Sequence, residues 1–153
     1  MKKKNYLYKA KCTKASTHAG QWVIGSLIVC RNGETLIVQA LNDHNMMTFH
    51  VKPETVCKIT DYVDKKDNKI SEGDILQSDV YPFLNDENER NYYGVVVWAN
   101  GGLYVETVRS AKTSVRGCSE GNTETLDEFV DNGCEIIGNI FDNKDLLNPN
   151  YKF

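Results

Sequence analysis

The chain has 153 residues, with 18 Lys and Arg against 21 Asp and Glu, and a formal net charge of −3 at pH 7. This length suits one domain or two small subdomains, and the slight acidity disfavours general coating of nucleic acid, which needs a broad basic surface. No stretch approaches the roughly 20 apolar residues that span a bilayer, and no export signal follows the first lysines, so we expect a soluble, cytoplasmic protein with no membrane partner.

The first eleven residues are rich in lysine. Such a run could form a local basic arm, but short terminal charge runs are usually solvated tails. We therefore predict a solvated tail and keep the basic arm as an alternative. The lysines are Lys2, Lys3, Lys4, Lys9 and Lys11.

Residues 21–51 carry short runs of β-branched and aromatic side chains, a pattern that predicts strands. We expect these strands over 21–30, 34–41 and 46–51. Asn32 and Gly33 lie between the first two and readily take positive φ, so they predict a tight hairpin turn.

The second half of the chain repeats this pattern. Strands are predicted over 75–80, 93–99 and 103–108, with a turn at 100–102 and a polar excursion at 85–91 that is too hydrophilic to pack. The sequence therefore predicts a mainly β fold, built as a meander of antiparallel strands.

Two segments depart from strand. Pro53 fixes φ, so residues 53–56 predict one short helical turn that begins at a proline. Residues 122–130 offer capping groups, acids in the first turn and apolar positions, and Gly133 suits the end of a helix. The segment directly before this helix, 111–121, predicts a long loop because it is rich in Ser, Thr and Gly and lacks periodicity.

Several motifs, taken in this order, resemble those of the YopX family, which comprises small phage and prophage proteins of undefined biochemical role. The resemblance covers about residues 20–147. It implies a mostly β structure with small barrel-like, SH3-like subdomains, self-association and a phage or prophage origin. The motifs are Trp22-Val23-x-Gly25-Ser26-Leu27, Val51-x-Pro53-Glu54-Thr55-Val56, Asp64-Lys65, Lys69-Ile70-x-Glu72-Gly73-Asp74-Ile75, Val95-x-Val97-Trp98 and Ile137-Gly138-Asn139-Ile140.

The chain also departs from the family pattern. Lys66-Asp67-Asn68 stands where the family has Asn-Gly, and Asp and Asn can keep such a turn because they tolerate left-handed geometry. Ser71 replaces a usual aromatic residue. The expected organisation is one YopX-like domain over 1–153, which could divide into two β subdomains at about 1–60 and 61–147.

Glu72, Gly73 and Asp74 admit two interpretations. The two carboxylates could bind a divalent cation, or the three residues could form a tight turn in which Gly73 takes a conformation closed to other residues and Asp74 caps backbone amides. We favour the turn. A calcium loop over 61–72 is excluded, because Val63, Lys65 and Lys66 stand where acidic, amide or glycine residues are needed.

The sequence contains no recognisable catalytic or metal motif. His18, His44 and His50 show no metal-ligand spacing, and a spatial pair of His50 with Cys57 stays open. The five cysteines, at 12, 30, 57, 118 and 134, are odd in number and scattered, which favours reduced, mostly buried thiols. We expect no catalytic residues, no metal and no cofactor, and lean against an enzyme.

The large aromatic side chains could stack on single-stranded nucleic acid or anchor a protein interface. We favour the core or an interface between subunits, because the net acidity makes protein partners more suitable than nucleic acid. These side chains are Trp22, Trp98, Tyr92, Tyr93 and Tyr104.

Three functions remain. The leading one is a non-enzymatic β module that forms a homo-oligomer and binds an unidentified phage or host protein. The second is a nucleic-acid accessory protein that uses the lysine arm with Arg31 or Arg109 and the aromatics. The weakest is a metal-dependent hydrolase built on Asp64, Glu72 and Asp74. The candidate structural or interaction residues are Trp22, Gly25, Pro53, Glu54, Thr55, Glu72, Gly73, Asp74, Trp98, Gly138 and Asn139.

Overall fold

The computed structural model describes residues 7–14, 17–79, 92–109 and 123–153, except the side chains of Tyr92 and Arg109. Contacts between Cα atoms divide the chain into two compact units, residues 1–59 (unit 1) and 60–153 (unit 2). The predicted polar excursion at 85–91 and the predicted loop at 111–121 lie outside the described residues, as do Lys2, Lys3 and Lys4.

Unit 1 is an antiparallel sheet with the strand order β4-β3-β2-β1-β5. A short 3-10 turn, Pro53–Thr55, precedes β5, as the proline predicts. An isolated bridge joins Cys12 to Val51, beyond the ends of β1 and β4. The strands are β1 (Tyr8–Lys11), β2 (Trp22–Val29), β3 (Thr35–Ala40), β4 (Met46–His50) and β5 (Cys57–Val63), whose last residues belong to unit 2.

The core of unit 1 lies on one side of this sheet. Side chains alternate between the two faces of a strand, and residues paired across strands point to the same side. Ile37 and Phe49 are such a pair, and they pack with Ala10, Cys12 and Val51 in one buried cluster. The opposite side of the sheet therefore faces away from this core.

Unit 2 is built on a second antiparallel sheet, with the order β10-β9-β8-β7-β11. The end of β5 pairs with β6. A second 3-10 turn, Lys144–Leu146, follows the last strand. The elements are β6 (Lys69–Ser71), β7 (Asp74–Ser78), β8 (Tyr92–Ala99), β9 (Gly102–Arg109), β10 (Thr123–Thr125), α1 (Leu126–Asp131) and β11 (Cys134–Asn139).

Both faces of the five-stranded sheet are covered. On one face, Leu76 and Val105 pack against Leu126 and Phe129 of α1. On the other, Ile75, Val95 and Val108 pack against Ile140 and Leu147, which lie after β11. The continuous apolar runs of β7 and β8 follow from this, since a strand buried on both sides carries apolar residues at successive positions.

The mainly β prediction is confirmed, with two antiparallel sheets and one short helix in the described residues. The sheets are open in strand order and are not closed barrels. The predicted turn between β8 and β9 is present, with φ of 48° at Asn100 and 78° at Gly101, as a type I′ turn requires. No helix in the described ranges is long and apolar enough to cross a membrane.

Two predictions about elements are corrected. Lys9 and Lys11 lie in strand β1 and not in a solvated tail, because β1 pairs with β2 and β5. The helix begins at Leu126 and not near residue 122, because Thr123, Glu124 and Thr125 pair with β9. Thr125 then acts as the N-cap, and its hydroxyl accepts a hydrogen bond from the N–H of Glu128 at 3.3 Å.

Candidate functional site

The Glu72-Gly73-Asp74 segment forms a tight turn between β6 and β7. Gly73 has a φ of 81°, where a side chain is unfavourable, and its N–H donates to the carbonyl of Val96 at 2.8 Å. Asp74 is 3% exposed, and its Oδ2 accepts a hydrogen bond from the N–H of Ser71 at 2.7 Å. The turn interpretation predicts contacts of this kind, and both hydrogen bonds join parts of the same chain.

Gly138 and Asn139 also serve a turn. The N–H of Asn139 donates to Oδ1 of Asn143 at 3.0 Å, and its own Oδ1 accepts from the N–H groups of Phe141 and Asp142, both at 2.9 Å. A Cβ at Gly138 would clash with the side chain of Asn143. Both residues therefore shape the end of β11.

Asp64 does not join Glu72 and Asp74 in a metal site. Its carboxylate accepts hydrogen bonds from the backbone N–H groups of Lys66, Asn68 and Ile136. The described residues contain no group of three His, Cys, Asp or Glu side chains placed to hold a metal ion. The geometry required by a metal-dependent hydrolase is thus missing from the described part of the chain.

A surface ion network lies around the turn at residues 64–68. The ammonium of Lys65 lies 2.6 Å from Oδ1 of Asp79, and this hydrogen bond raises its pKa. The ammonium of Lys66 pairs with Glu135, and this hydrogen bond lowers the pKa of the carboxyl. Nearby, burial raises the pKa of the Cys134 thiol to about 11, and Asp64 and Asp79 add to the effect. Cys134 is therefore a protonated, unreactive thiol at neutral pH.

Gly25 and Thr55 have structural roles in unit 1. A Cβ at Gly25 would clash with the carbonyl oxygen of Val38. The hydroxyl of Thr55 donates to the carbonyl of Lys52 at 2.8 Å and accepts from the N–H of Lys11 at 2.9 Å, which ties the 3-10 turn to β1. Glu54, in the same turn, is exposed.

Trp98 does not fill the interior of unit 2. It lies near the end of β8, opposite Leu103 of β9, and 48% of its surface is exposed. Of the two predicted places for Trp98, the core and an interface between subunits, its exposure does not fit the core of unit 2. The predicted contact with another subunit stays a prediction.

Trp22 begins β2 and lies beneath two cations. The ammonium of Lys9 is 5.2 Å from the centre of its ring and that of Lys11 is 5.4 Å away, distances at which cations and aromatic faces attract. Both lysines belong to β1, and Lys11 is the cross-strand partner of Trp22. The three side chains form a basic and aromatic corner on the sheet of unit 1.

This corner continues into an apolar surface on the side of the sheet opposite the core. The register places Ile24 beside Lys9, Ile28 beside Leu36, and Met46 beside Ala40. Ile24 is 48% exposed, Ile28 46% and Met46 72%. We call this surface the outer face of unit 1; its members are Lys9, Lys11, Trp22, Ile24, Ser26, Ile28, Leu36, Val38, Ala40, Met46, Thr48 and His50.

A groove lies at one end of β4. It has a volume of about 650 Å³ and is lined by residues that include Thr13, Thr17, Glu34, Thr48, Phe49 and His50. Oε1 of Glu34 is 3.5 Å from Nδ1 of His50, and its Oε2 accepts from the side-chain amide of Asn32 at 3.0 Å. The ring of His18 packs edge-on against Phe49 at 5.8 Å. Sγ of Cys57, which the sequence leaves open as a partner of His50, donates to the carbonyl of Thr55 at 3.4 Å.

The sequence indicates Trp22 as a candidate residue but does not indicate the surface around it. Ile24 and Ile28 lie in one predicted strand and Met46 in another, and only the strand register shows that Met46 shares their side. One signal was available. Residues 22–29 are apolar at both alternating sets of positions, although the strand covers a core on one side only.

The family model described as YopX protein matches residues 2–148 of the chain. Among curated proteins, no match was found.

Proposed function

Because the chain belongs to the YopX protein family, and membership alone assigns no reaction, we propose from its surface that it is a non-enzymatic, self-associating β module that binds a phage or host protein. The outer face of unit 1 is the proposed contact surface. This proposal concerns binding, so it requires exposed complementary surface and no catalytic group.

The exposed apolar side chains of the outer face are the observation that supports this function. A sheet face that meets water usually carries polar side chains, and a contiguous apolar patch typically marks an interaction site. Ile24, Ile28 and Met46 break that rule together. Lys9 and Lys11 at the border supply a polar rim with Trp22 beneath them, and such a rim is typical of protein interfaces.

One observation favours the nucleic-acid alternative. Lys9 and Lys11 beside Trp22 combine cations with an aromatic ring, as single-strand binding sites do. Both ammonium groups already lie over that ring, so a base that stacks on Trp22 competes with them. We therefore place this alternative second.

Size-exclusion chromatography with light scattering tests the proposal. We expect the wild type to be a salt-resistant oligomer, and the double variant Ile24→Thr, Ile28→Thr to be monomeric, because threonine keeps the strand preference and removes apolar surface. Val63→Thr changes an exposed apolar side chain of unit 2 and is the matched control, which should remain oligomeric.

A monomeric wild type, or a double variant of unchanged mass, would contradict self-association through this surface. A short single-stranded oligonucleotide should be included at low salt. Co-elution that is lost in Lys9→Gln, Lys11→Gln would instead support the nucleic-acid alternative.

A further inference from the structure

The strand β4 lies at the edge of its sheet, and its main-chain groups can be assigned to the two sides. The N–H of Val51 donates to the carbonyl of Thr35 at 3.0 Å, and that of Leu41 to the carbonyl of Asn45 at 2.8 Å. The register between these bonds is continuous. Since hydrogen-bonded pairs alternate with other pairs in an antiparallel ladder, every second residue of β4 directs its N–H and C=O groups away from β3.

These outward residues are Met46, Thr48 and His50. The carbonyl of His50 accepts from the N–H of Thr13 at 2.9 Å, so the chain after β1 continues alongside this end of β4. Among the described strands, β3 is the sole neighbour of β4 along its length. Within residues 7–14, 17–79, 92–109 and 123–153, no further strand lies along the outward groups of Met46 and Thr48. Such an edge can pair with an added strand.

The groove adjoins this open edge. Thr48 and His50 line it, and Thr13 and Thr17 line it from the returning chain. Its volume of about 650 Å³ is within the range of pockets that hold peptide side chains or small ligands. Edge and groove together offer main-chain hydrogen bonds and a place for a side chain, and peptide recognition by strand addition uses both.

The charge of the groove indicates which side chain fits. Glu34 lines it with a side chain that is 54% exposed. The side-chain amide of Asn32 donates to the carboxylate of Glu34, and its oxygen accepts from the N–H of Glu34. No lysine or arginine is among the lining residues that the structure describes. A cationic side chain can approach Glu34 from the groove, whereas an acidic one meets repulsion.

We propose that an extended peptide segment of a partner protein adds to β4 as a further strand and places a lysine or arginine side chain in the groove against Glu34. A second copy of the chain fits less well. Met46–His50, the strand that would pair with itself, contains no Lys or Arg to meet Glu34. The inference rests on the proposed function only in that the partner is a protein. It uses the main-chain edge of β4 and the groove, and not the exposed side chains of Ile24 and Ile28.

The test is an amide-shift titration of the ¹⁵N-labelled protein. The probe is a synthetic eight-residue peptide of alternating valine and threonine with one central lysine, and its matched control carries glutamate instead of lysine. We expect shifts at the amides of Met46, Thr48, His50 and Glu34. The lysine peptide should bind about fivefold more tightly at low salt, because the half-exposed carboxylate of Glu34 attracts the lysine and repels the glutamate of the control.

Two variants separate the parts of the site. Thr48→Pro removes the outward N–H without removing a bond to β3, so it should abolish binding of the lysine peptide, while Thr48→Ala should retain it. Glu34→Gln should bring the two peptides to within about twofold of each other, because the groove then has no charge to select a cation. If circular dichroism shows that Thr48→Pro does not fold, the Glu34→Gln variant and the map of amide shifts decide whether the peptide binds at this edge.

Several results would overturn the inference. These are equal affinities for the two peptides, shifts confined to other strands, absence of binding, and amide shifts at Met46 and Thr48 that depend on protein concentration alone. The last result would assign the edge to a second copy. The variant Ile24→Thr, Ile28→Thr should still bind the lysine peptide, so loss of the proposed outer-face contact and loss of the edge site are distinguishable.

Discussion

At the scale of single residues, Asp64 shows how a buried carboxylate can serve structure alone. It is 4% exposed, and its Oδ1 accepts the N–H groups of Lys66 and Asn68, both at 2.9 Å, while its Oδ2 accepts that of Ile136 at 3.1 Å. Burial raises the pKa of this carboxyl, but the hydrogen bonds from Ile136, Asn68 and Lys66 outweigh burial, and the pKa is lowered. Asp64 is thus held as an anion by backbone donors.

We expect Asp64→Asn to lower the free energy of unfolding by about 1–3 kcal/mol at neutral pH. The side-chain NH2 of asparagine then faces a backbone N–H whose hydrogen bond the carboxylate oxygen accepted. The folded-state pKa of Asp64 lies below its ordinary value. Its contribution is therefore complete above the unfolded-state pKa and is lost as the pH falls through the folded-state pKa.

Urea unfolding at about pH 7 and about pH 2.5 measures this effect, and the difference between wild type and variant should shrink in acid. Asp61→Asn is the matched control, since that side chain is 85% exposed and lies 3.9 Å from Lys69. A difference of equal size at both pH values would show that ionisation of Asp64 does not contribute to the free energy of unfolding.

The role of Asp64 also marks a limit of sequence analysis. The turn formed by Glu72, Gly73 and Asp74 could be predicted, because its bond to Ser71 spans three residues. The bond from Ile136 to Asp64 spans 72 residues, and no local pattern indicates it. An acidic residue that looked like a possible metal ligand is instead a partner for backbone donors.

At the scale of elements, close packing of strands decides where glycine is required. Gly25 in β2 is buried, and Val38 and Ile37 of β3 occupy the space that a Cβ would need. Gly25→Ala should therefore destabilise the protein by about 1–3 kcal/mol, because the clash is with backbone that must shift. Thermal unfolding measures the loss.

Ser26→Ala is the control for this prediction, because it changes the next residue of β2 on the exposed outer face. It should change stability by less than about 0.5 kcal/mol. Equal losses for the two variants would contradict crowding at Gly25 as the cause.

Strands were predicted well where apolar runs were dense and poorly where polar residues alternated with apolar ones. In Tyr8–Lys11 and Cys57–Val63, lysine and other polar residues stand among the apolar ones. The sequence therefore predicts neither segment as a strand. Their burial comes from neighbours far along the chain, as in the pairing of Lys9 with Ile24 and with Cys57. Tertiary context thus overrides local composition in these strands.

At the scale of the whole molecule, the two units have separate apolar cores. Ile37 is fully buried in the cluster of unit 1, whereas Leu76 is fully buried in a cluster of unit 2. We expect Ile37→Ala, with a loss of about 2–5 kcal/mol, to lower hydrogen-exchange protection in β1 to β4 more than in β7 to β9. Leu76→Ala should give the opposite pattern.

Exchange measured by mass spectrometry on peptides from both units tests this expectation. Uniform loss of protection after either substitution would show that the two cores unfold as one cooperative unit. The confirmed mainly β fold does not by itself decide between these outcomes, because cooperativity depends on interactions that strand content does not report.

The bond between Asp64 and Ile136 has a consequence for synthesis on the ribosome. The chain emerges with Asp64 first, and its carboxylate can bind the amides of Lys66 and Asn68 at once. β11, which pairs with β7, follows roughly 55 residues after β7 ends. At the usual speed of translation, one side of β7 waits about 3–11 s for its partner. The turn at Asp64 is then a docking point prepared in advance, to which the last strand of the sheet is added as it leaves the exit tunnel.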